Sequence, residues 1–400
     1  MKKVLLVNNV HIIPRIDGGY PIQMRYLCKM FTEYGYKIFN FTSCAEGEPN
    51  QPFTKLYSYS ELIRIYTHNN VPIYEEDFFT EITFLFHQRN IREIEVDDIN
   101  TILKQNNIDL LIFLGDVFVF YKNSPQNRFI VPNYVWYPCH FYPFSNFDLK
   151  GLRVFDNIIC LSPSIKLILE KEFPDKNVSY LPHITSKLHV SSSKYELRKK
   201  WKLPQTKMIV LIIANLSEPT NRKSIDSSII AFKQFRDKYA NSLLYIQSIY
   251  DMYPIHDLMS KLSISPDDYI LNRTSISGIE IAELYSLSDV YLCCSKVEGF
   301  GVPIAEAQLY GTNLITSNFT SMAEHNFQKN VTDISSISYH YGLDGYWTQP
   351  SSDSIFKMLE HIYLNDTKPR VSKAKWITRE LTSYENVKEK LFNIIQSVKI

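Results

Sequence analysis

Short, uninterrupted apolar runs recur along the chain, each followed by a polar turn and then a helix-length pattern. Lys2 to Val7, Asp109 to Gly115 (DLLIFLG), Asn157 to Leu161 (NIICL) and Met208 to Ala214 (MIVLIIA) are of this kind. A strand that is apolar on both faces must be covered on both faces, which a parallel sheet flanked by helices provides. The repeated order strand, loop, helix, strand therefore points to an α/β architecture. At 400 residues the chain is too long for one ordinary core, and two domains of about 180 residues each are expected.

The first series runs from Lys2–Val7 through a loop with Asp17-Gly18-Gly19 to a helical pattern over Gln23–Tyr34 and a strand over Lys37–Thr42. Ser162 to Phe173 reads as a helix with Ser162 or Ser164 as its cap. Residues 44–100, rich in aromatics and acids, read only as helices and loops. A second series begins after Pro182, with Ser191-Ser192-Ser193 as linker and Lys194–Lys202 as a basic helix. Its strands are predicted at 208–214, 242–247, 270–272, 290–294 and 313–316, and its helices at 225–239, 279–287 and 303–310. These patterns divide the chain into an N-terminal domain over 1–186 and a C-terminal one over 187–372. The segment Lys373–Val398 reads as one long amphipathic pattern expected to pack back on the first domain.

Composition removes several classes of function. A net charge of +1 offers no basic excess for a nucleic-acid backbone. Met1–Asn8 is shorter than a signal peptide and reads as a first strand; no apolar run reaches the length of about 20 residues that spans a membrane. The six cysteines (28, 44, 139, 160, 293 and 294) lack metal-ligand spacing and read as reduced core residues of a cytoplasmic protein. No Asp-x-Asp element or His/Cys cluster suggests a metal.

The stretch Ser295–Glu324 (SKVEGFGVPIAEAQLYGTNLITSNFTSMAE) carries the most chemistry. Glu298 is read as ending a strand, Gly299 and Gly301 flank Phe300, and Pro303 falls in the first turn of a helix, where its missing N–H costs nothing. Glycines ahead of a helix N-terminus let backbone N–H groups approach an anion. Glu306, one turn in, is a carboxylate suited to a pair of ribose hydroxyls. Upstream, Arg222-Lys223 closes the loop Ala214–Lys223, where two cations suit a diphosphate leaving group. Leu181-Pro182-His183 stands at the junction of the two series, and Tyr134–Phe144 is an aromatic cluster around Cys139-His140. Asp116 follows a strand directly and is a candidate for orienting an acceptor.

Taken together, these segments resemble glycosyltransferase family 4, retaining enzymes of the GT-B fold with two Rossmann-like domains facing across a cleft. Glu298 and Glu306 match its E-x7-E signature, although Asn313 replaces the proline of the turn that follows. The resemblance implies that Glu298 approaches the donor sugar, that Glu306 holds the ribose, and that Gly299, Phe300, Gly301 and Val302 contribute backbone contacts to sugar and phosphate. It implies a phosphate role for Arg222 and Lys223, a donor-phosphate approach for Gly18 and Gly19, a flank on the nucleotide base for Asn272, and a donor-sugar contact for His140. His183 matches the family's Pro-His-Gly segment with Ile184 in place of glycine, and is read as structural first.

The reaction so implied is metal-independent transfer of a hexose, with retention, from GDP-mannose or a UDP-sugar to a glycan, glycoprotein or lipid-linked acceptor, with no cofactor beyond the co-substrate. Peripheral contact with the cytosolic face of a membrane stays open. A nucleotide-sugar epimerase of the same fold and a non-catalytic partner subunit are the alternatives; the Glu298–Glu306 string argues against the first, and the presence of Glu298, Glu306, Arg222 and Lys223 together against the second.

Overall fold

The computed structural model describes residues 1–8, 12, 19–43, 55–69, 73, 75–87, 94–124, 126–216, 221–249, 253–340 and 344–397. In chain order the first domain contains β1 (Lys3–Asn8), α1 (Gly19–Glu33), β2 (Lys37–Ser43), β3 (Tyr57–Ser58), α2 (Tyr59–His68), β4 (Ile82–His87), α3 (Val96–Asn106) and β5 (Leu110–Leu114). It continues with β6 (Asn133–Tyr137), α4 (Asn146–Leu152), β7 (Asn157–Cys160), α5 (Pro163–Glu172) and β8 (Asn177–Tyr180). The strands form one sheet in the order β3-β4-β2-β1-β5-β6-β7-β8, parallel except where β3 meets β4. β1 shows why its run is apolar throughout. Val4 and Leu6 enter the core on one face, and Leu5 and Val7 enter a separate core on the other.

The second domain contains α6 (Lys194–Lys200), β9 (Met208–Ile213), α7 (Ile225–Lys238), β10 (Ser242–Gln247), α8 (Ile255–Lys261), β11 (Tyr269–Asn272) and α9 (Gly278–Leu287). There follow β12 (Val290–Cys293), α10 (Val302–Tyr310), β13 (Asn313–Ser317), α11 (Thr320–His325) and β14 (Val331–Thr332). Its sheet is parallel, in the order β11-β10-β9-β12-β13-β14. β9 divides its side chains as β1 does, Val210 and Ile212 to one core and Ile209 and Leu211 to the other. In each sheet the chain starts near the middle, builds to one side, then returns and builds to the other. The crevices where direction reverses lie at the carboxyl ends of β1 and β5 and of β9 and β12, which is where open α/β sheets bind ligands.

Beyond β14 the structure departs from the sequence expectation. An antiparallel hairpin, β15 (Ile334–His340) and β16 (Gly345–Pro350), precedes α12 (Ser352–Leu364), α13 (Lys368–Thr382) and α14 (Tyr384–Ser397). The single C-terminal pattern is thus two helices that break at Ser383, whose backbone is extended and whose carbonyl accepts from Val387 N. α13 packs on α10, while α14 lays Val387, Leu391, Phe392 and Ile395 into the core of the first domain, with Lys388 bonded to Glu33 at 3.0 Å. The aromatic cluster at Tyr134 proves to contain a buried strand, β6, because Tyr and Trp suit a pleated surface as well as a cleft edge. Five of the six cysteines fall among the described residues; all five are buried thiols.

Candidate active site

β12 ends at Cys293, so Glu298 lies in the loop beyond it and not at a strand end. Side chains from three directions hold that loop. Ser317 Oγ donates to Ser295 O at 2.6 Å, Ser321 Oγ to Glu298 O at 2.7 Å, and Thr348 Oγ1 of the hairpin to Lys296 O at 2.6 Å. A further bond, Lys296 N to Arg222 O at 2.8 Å, ties it to the loop after β9. That second loop turns through left-handed residues at Asn221 and Ser224, φ 52° and 47°, and Asn221 Oδ1 receives Ile225 N at 2.9 Å as α7 begins.

The two loops meet through their charges. Lys223 Nζ donates to Glu298 Oε1 at 2.6 Å, Ser295 Oγ donates to the same oxygen at 2.6 Å, and Arg222 Nη1 lies 3.3 Å from Oε2. Glu298 is only 8% exposed. Burial alone would raise its carboxyl, but Lys223 and then Arg222 outweigh that and hold it down to about 2. Glu306, one turn into α10, is in a different condition: burial pushes its carboxyl up, and its partner is Tyr285, whose hydroxyl donates to Oε2 at 3.1 Å.

Gly301 caps α10 with φ 78°, a left-handed conformation that favours glycine, and an added Cβ would sit 2.6 Å from Ile304 Cδ1. Val302 opens the helix and Pro303 follows. Phe300 turns its ring away from the crevice into the first domain's core, between His183 (centroids 5.4 Å) and His325 (4.5 Å). Its contribution to a ligand is therefore limited to its backbone. His183 is buried against Trp136 and held by burial, then by His325, down to about 3.

The first domain presents its own cluster. Tyr20 OH donates to Asp116 Oδ1 at 2.9 Å and lies 3.0 Å from His140 Nε2, which is 3.1 Å from Asp116 Oδ1. Burial would raise the Asp116 carboxyl, but His140, Tyr20 and then Arg222 hold it low, so the guanidinium of the second domain acts across the cleft on this wall. Gly18 lies outside the described residues. Gly19 is the first residue of α1 and not part of a loop. Asn272, at the end of β11, spends its amide on Tyr245 and Thr274, the former at 3.2 Å.

Residues 193–370 match the family described as glycosyl transferases group 1. That match falls on the second domain, and the chain as a whole has the GT-B fold. It is similar along its whole length to sucrose-phosphate synthase from Thermosynechococcus elongatus, at 15% identity and TM-score 0.73, covering 100% of this chain and 99% of that one. It is also similar to WaaG, a glycosyltransferase involved in lipopolysaccharide biosynthesis (13%, TM-score 0.65, 99% of each chain). A third is the pneumococcal O-GlcNAc transferase GtfA, solved with UDP and GlcNAc (12%, TM-score 0.63, 99% of each chain). At these identities the likeness establishes the fold. No curated protein sequence matches the chain as a relative.

The two domains meet close to the site. A Cβ added to Gly299 would lie 2.9 Å from Pro138 Cβ, inside any ordinary contact. Gly299→Ala is expected to lower stability by about 1–3 kcal/mol through overpacking and to cut turnover, because Pro138 must retreat with its domain. Calorimetry with steady-state rates checks this, and wild-type values for both would refute the contact. A cavity of about 520 Å³ lined by Tyr134, Asn157, Lys176, Ser179 and Ile394 lies along β6 to β8 and the end of α14, away from Glu298, and is not the cleft between domains.

Sequence reasoning missed Tyr20, Ser295, Tyr285 and Thr348. The first two adjoin recognised motifs, Gly18-Gly19 and Glu298, and that adjacency was the available signal. Thr348 had none, because the hairpin that carries it was not foreseen.

Proposed function

We propose that this glycosyltransferase moves a hexose from a nucleoside-diphosphate sugar to a hydroxyl acceptor with retention at the sugar carbon. The observation that carries the reading is the buried pairing of Glu298 with Lys223 and Arg222 at the crevice of the second sheet. Two cations fixed beside one carboxylate are poised to take up a diphosphate, and preorganised charge of this kind stabilises a leaving group as it departs. Glu306 would accept the ribose hydroxyls, and the backbone from Gly299 to Val302 would line the phosphates at the start of α10.

In the reaction the bond from the sugar carbon to the phosphate oxygen breaks and one to the acceptor oxygen forms on the same face. The acceptor's proton passes to the departing phosphate oxygen. The diphosphate charge is met by Arg222, Lys223 and the amides, with no metal assigned. GDP-mannose and UDP-sugars both remain as donors; GtfA, solved with UDP, supports the latter. The acceptor is a glycan, glycoprotein or lipid-linked sugar.

Thermal shift against UDP, GDP, ADP and CMP and their sugars, without added metal, tests the donor class. One nucleoside diphosphate is expected to raise the melting temperature, since a ligand selective for the folded state stabilises it. Glu306→Ala is expected to weaken that ligand about tenfold, the scale of a lost hydrogen bond to a charged group. No shift with any nucleotide, or full affinity in the variant, would overturn the donor assignment.

A further inference from the structure

On the first domain's wall of the cleft, three groups from distant parts of the chain converge on one point. Tyr20 comes from the first turn of α1, Asp116 from the end of β5 and His140 from beyond β6. Their three separations are 2.9, 3.0 and 3.1 Å, so each touches both others. A carboxylate can only accept, and the tyrosyl hydroxyl has a single proton to give, which goes to Asp116. His140 Nε2 therefore faces two oxygens, and an unprotonated nitrogen there would oppose its lone pair to theirs. The arrangement closes only with the proton on Nε2.

The other ring nitrogen makes this dependence complete. Nδ1 of His140 is buried with no hydrogen-bond partner among the described residues. The polar anchoring of the imidazole thus runs through Nε2 alone, to Tyr20 and Asp116 among the described residues. Remove either anchor, and a ring flip or a change of tautomer costs little.

We propose that Tyr20 is a positioning residue: it fixes the tautomer and orientation of His140 on the wall that faces the transferred sugar. The inference rests on the reading of this wall as part of the glycosyl-transfer site. The charged and titratable groups around it are Tyr20 itself, Asp116, His140, Arg222 across the cleft, and Asp148 of α4. Asp148 is bonded to Tyr137 at 2.9 Å and raised by burial to about 6.

Tyr20→Phe removes one oxygen and keeps the ring. Its kcat is expected to fall about tenfold, the scale of a lost hydrogen bond to a charged group, with KM for the donor unchanged within about twofold. Asp116 loses a donor that holds its carboxyl low, so the acid limb of the kcat profile moves to higher pH. In protein labelled with ¹⁵N-histidine, the His140 signals, assigned by their loss in His140→Gln, pass from a single Nε2–H tautomer to a mixture. Asp116→Asn, which removes the other anchor, is expected to disturb the tautomer in the same direction and serves if Tyr20→Phe folds poorly. Wild-type kcat with an undisturbed tautomer in Tyr20→Phe would overturn the inference. A loss in His140→Gln with none in Tyr20→Phe also overturns it, while leaving His140 in the site. Full turnover in His140→Gln fails the reading of the wall itself.

Discussion

Lys223→Met is expected to lower turnover by about two to three orders of magnitude, the cost of losing one preorganised charge at a developing anion. The same substitution should destabilise the protein. Lys223 gives Glu298 its shortest ionic contact, 2.6 Å, and a buried carboxylate stripped of its main cation must be held by Arg222 at 3.3 Å and Ser295. Breaking a buried pair outright costs about 3–5 kcal/mol, and the two remaining partners should keep the loss below that. The pH dependence follows from the direction of the shift. Glu298's carboxyl lies near 2 in the fold against 4.5 unperturbed, so its pairing stabilises above about pH 4.5 and is lost as pH falls toward 2. Without Lys223 the carboxyl rises, and acid unfolding should begin at higher pH. Rates, melting temperatures and the double variant Lys223→Met/Glu298→Gln separate the two effects. Turnover within twofold of wild type in Lys223→Met would remove the lysine from the reaction.

Phe300→Ala should cost about 3–5 kcal/mol, the range for truncating a buried aromatic. The ring is 3% exposed and belongs to the core of the domain opposite the one that supplies it. It also seals two histidines. Burial holds His325 down to about 4 and His183, with His325 adding to the effect, to about 3. Below their ordinary value of 6.5 the unfolded chain binds protons that the folded chain refuses, so stability falls as pH drops from about 6.5. Calorimetry from pH 7 to 5 should show that fall in the wild type and a shallower one in Phe300→Ala, where water reaches both rings. An equal slope in the two proteins would mean that Phe300 does not shield them.

The parallel core was legible in the sequence because strands buried on both faces have to be apolar at every position, as Val4–Val7 and Met208–Ile213 are. The loop from Glu298 to Glu306 was legible because its residue types are set by contacts to backbone, so that glycine and proline mark the turn. The hairpin at 334–350 was not, since Ile334–His340 is largely exposed and carries no apolar stripe. Nor was the break at Ser383, where an amphipathic pattern runs on through a serine that leaves the helix. Pairings such as Tyr20 with His140, or Glu298 with Lys223, join residues far apart in sequence, and only the folded sheet orders bring them together.

The peptide chain passes between the two domains twice, once near residue 184 on the way out and once at Ser383 on the way back. These two passages touch: Thr185 N donates to Thr382 O at 3.0 Å, and Gln23 clasps both the N–H and the carbonyl of Ile184, at 2.8 and 2.7 Å. Two tethers fastened at one place leave a pair of rigid bodies a single convenient axis of rotation. Any widening of the cleft is then a swing about that line, and among the contacts it would part is Trp347 of the hairpin, stacked on Phe141. A covalent bridge across that contact would hold the cleft closed with every reacting group still in place.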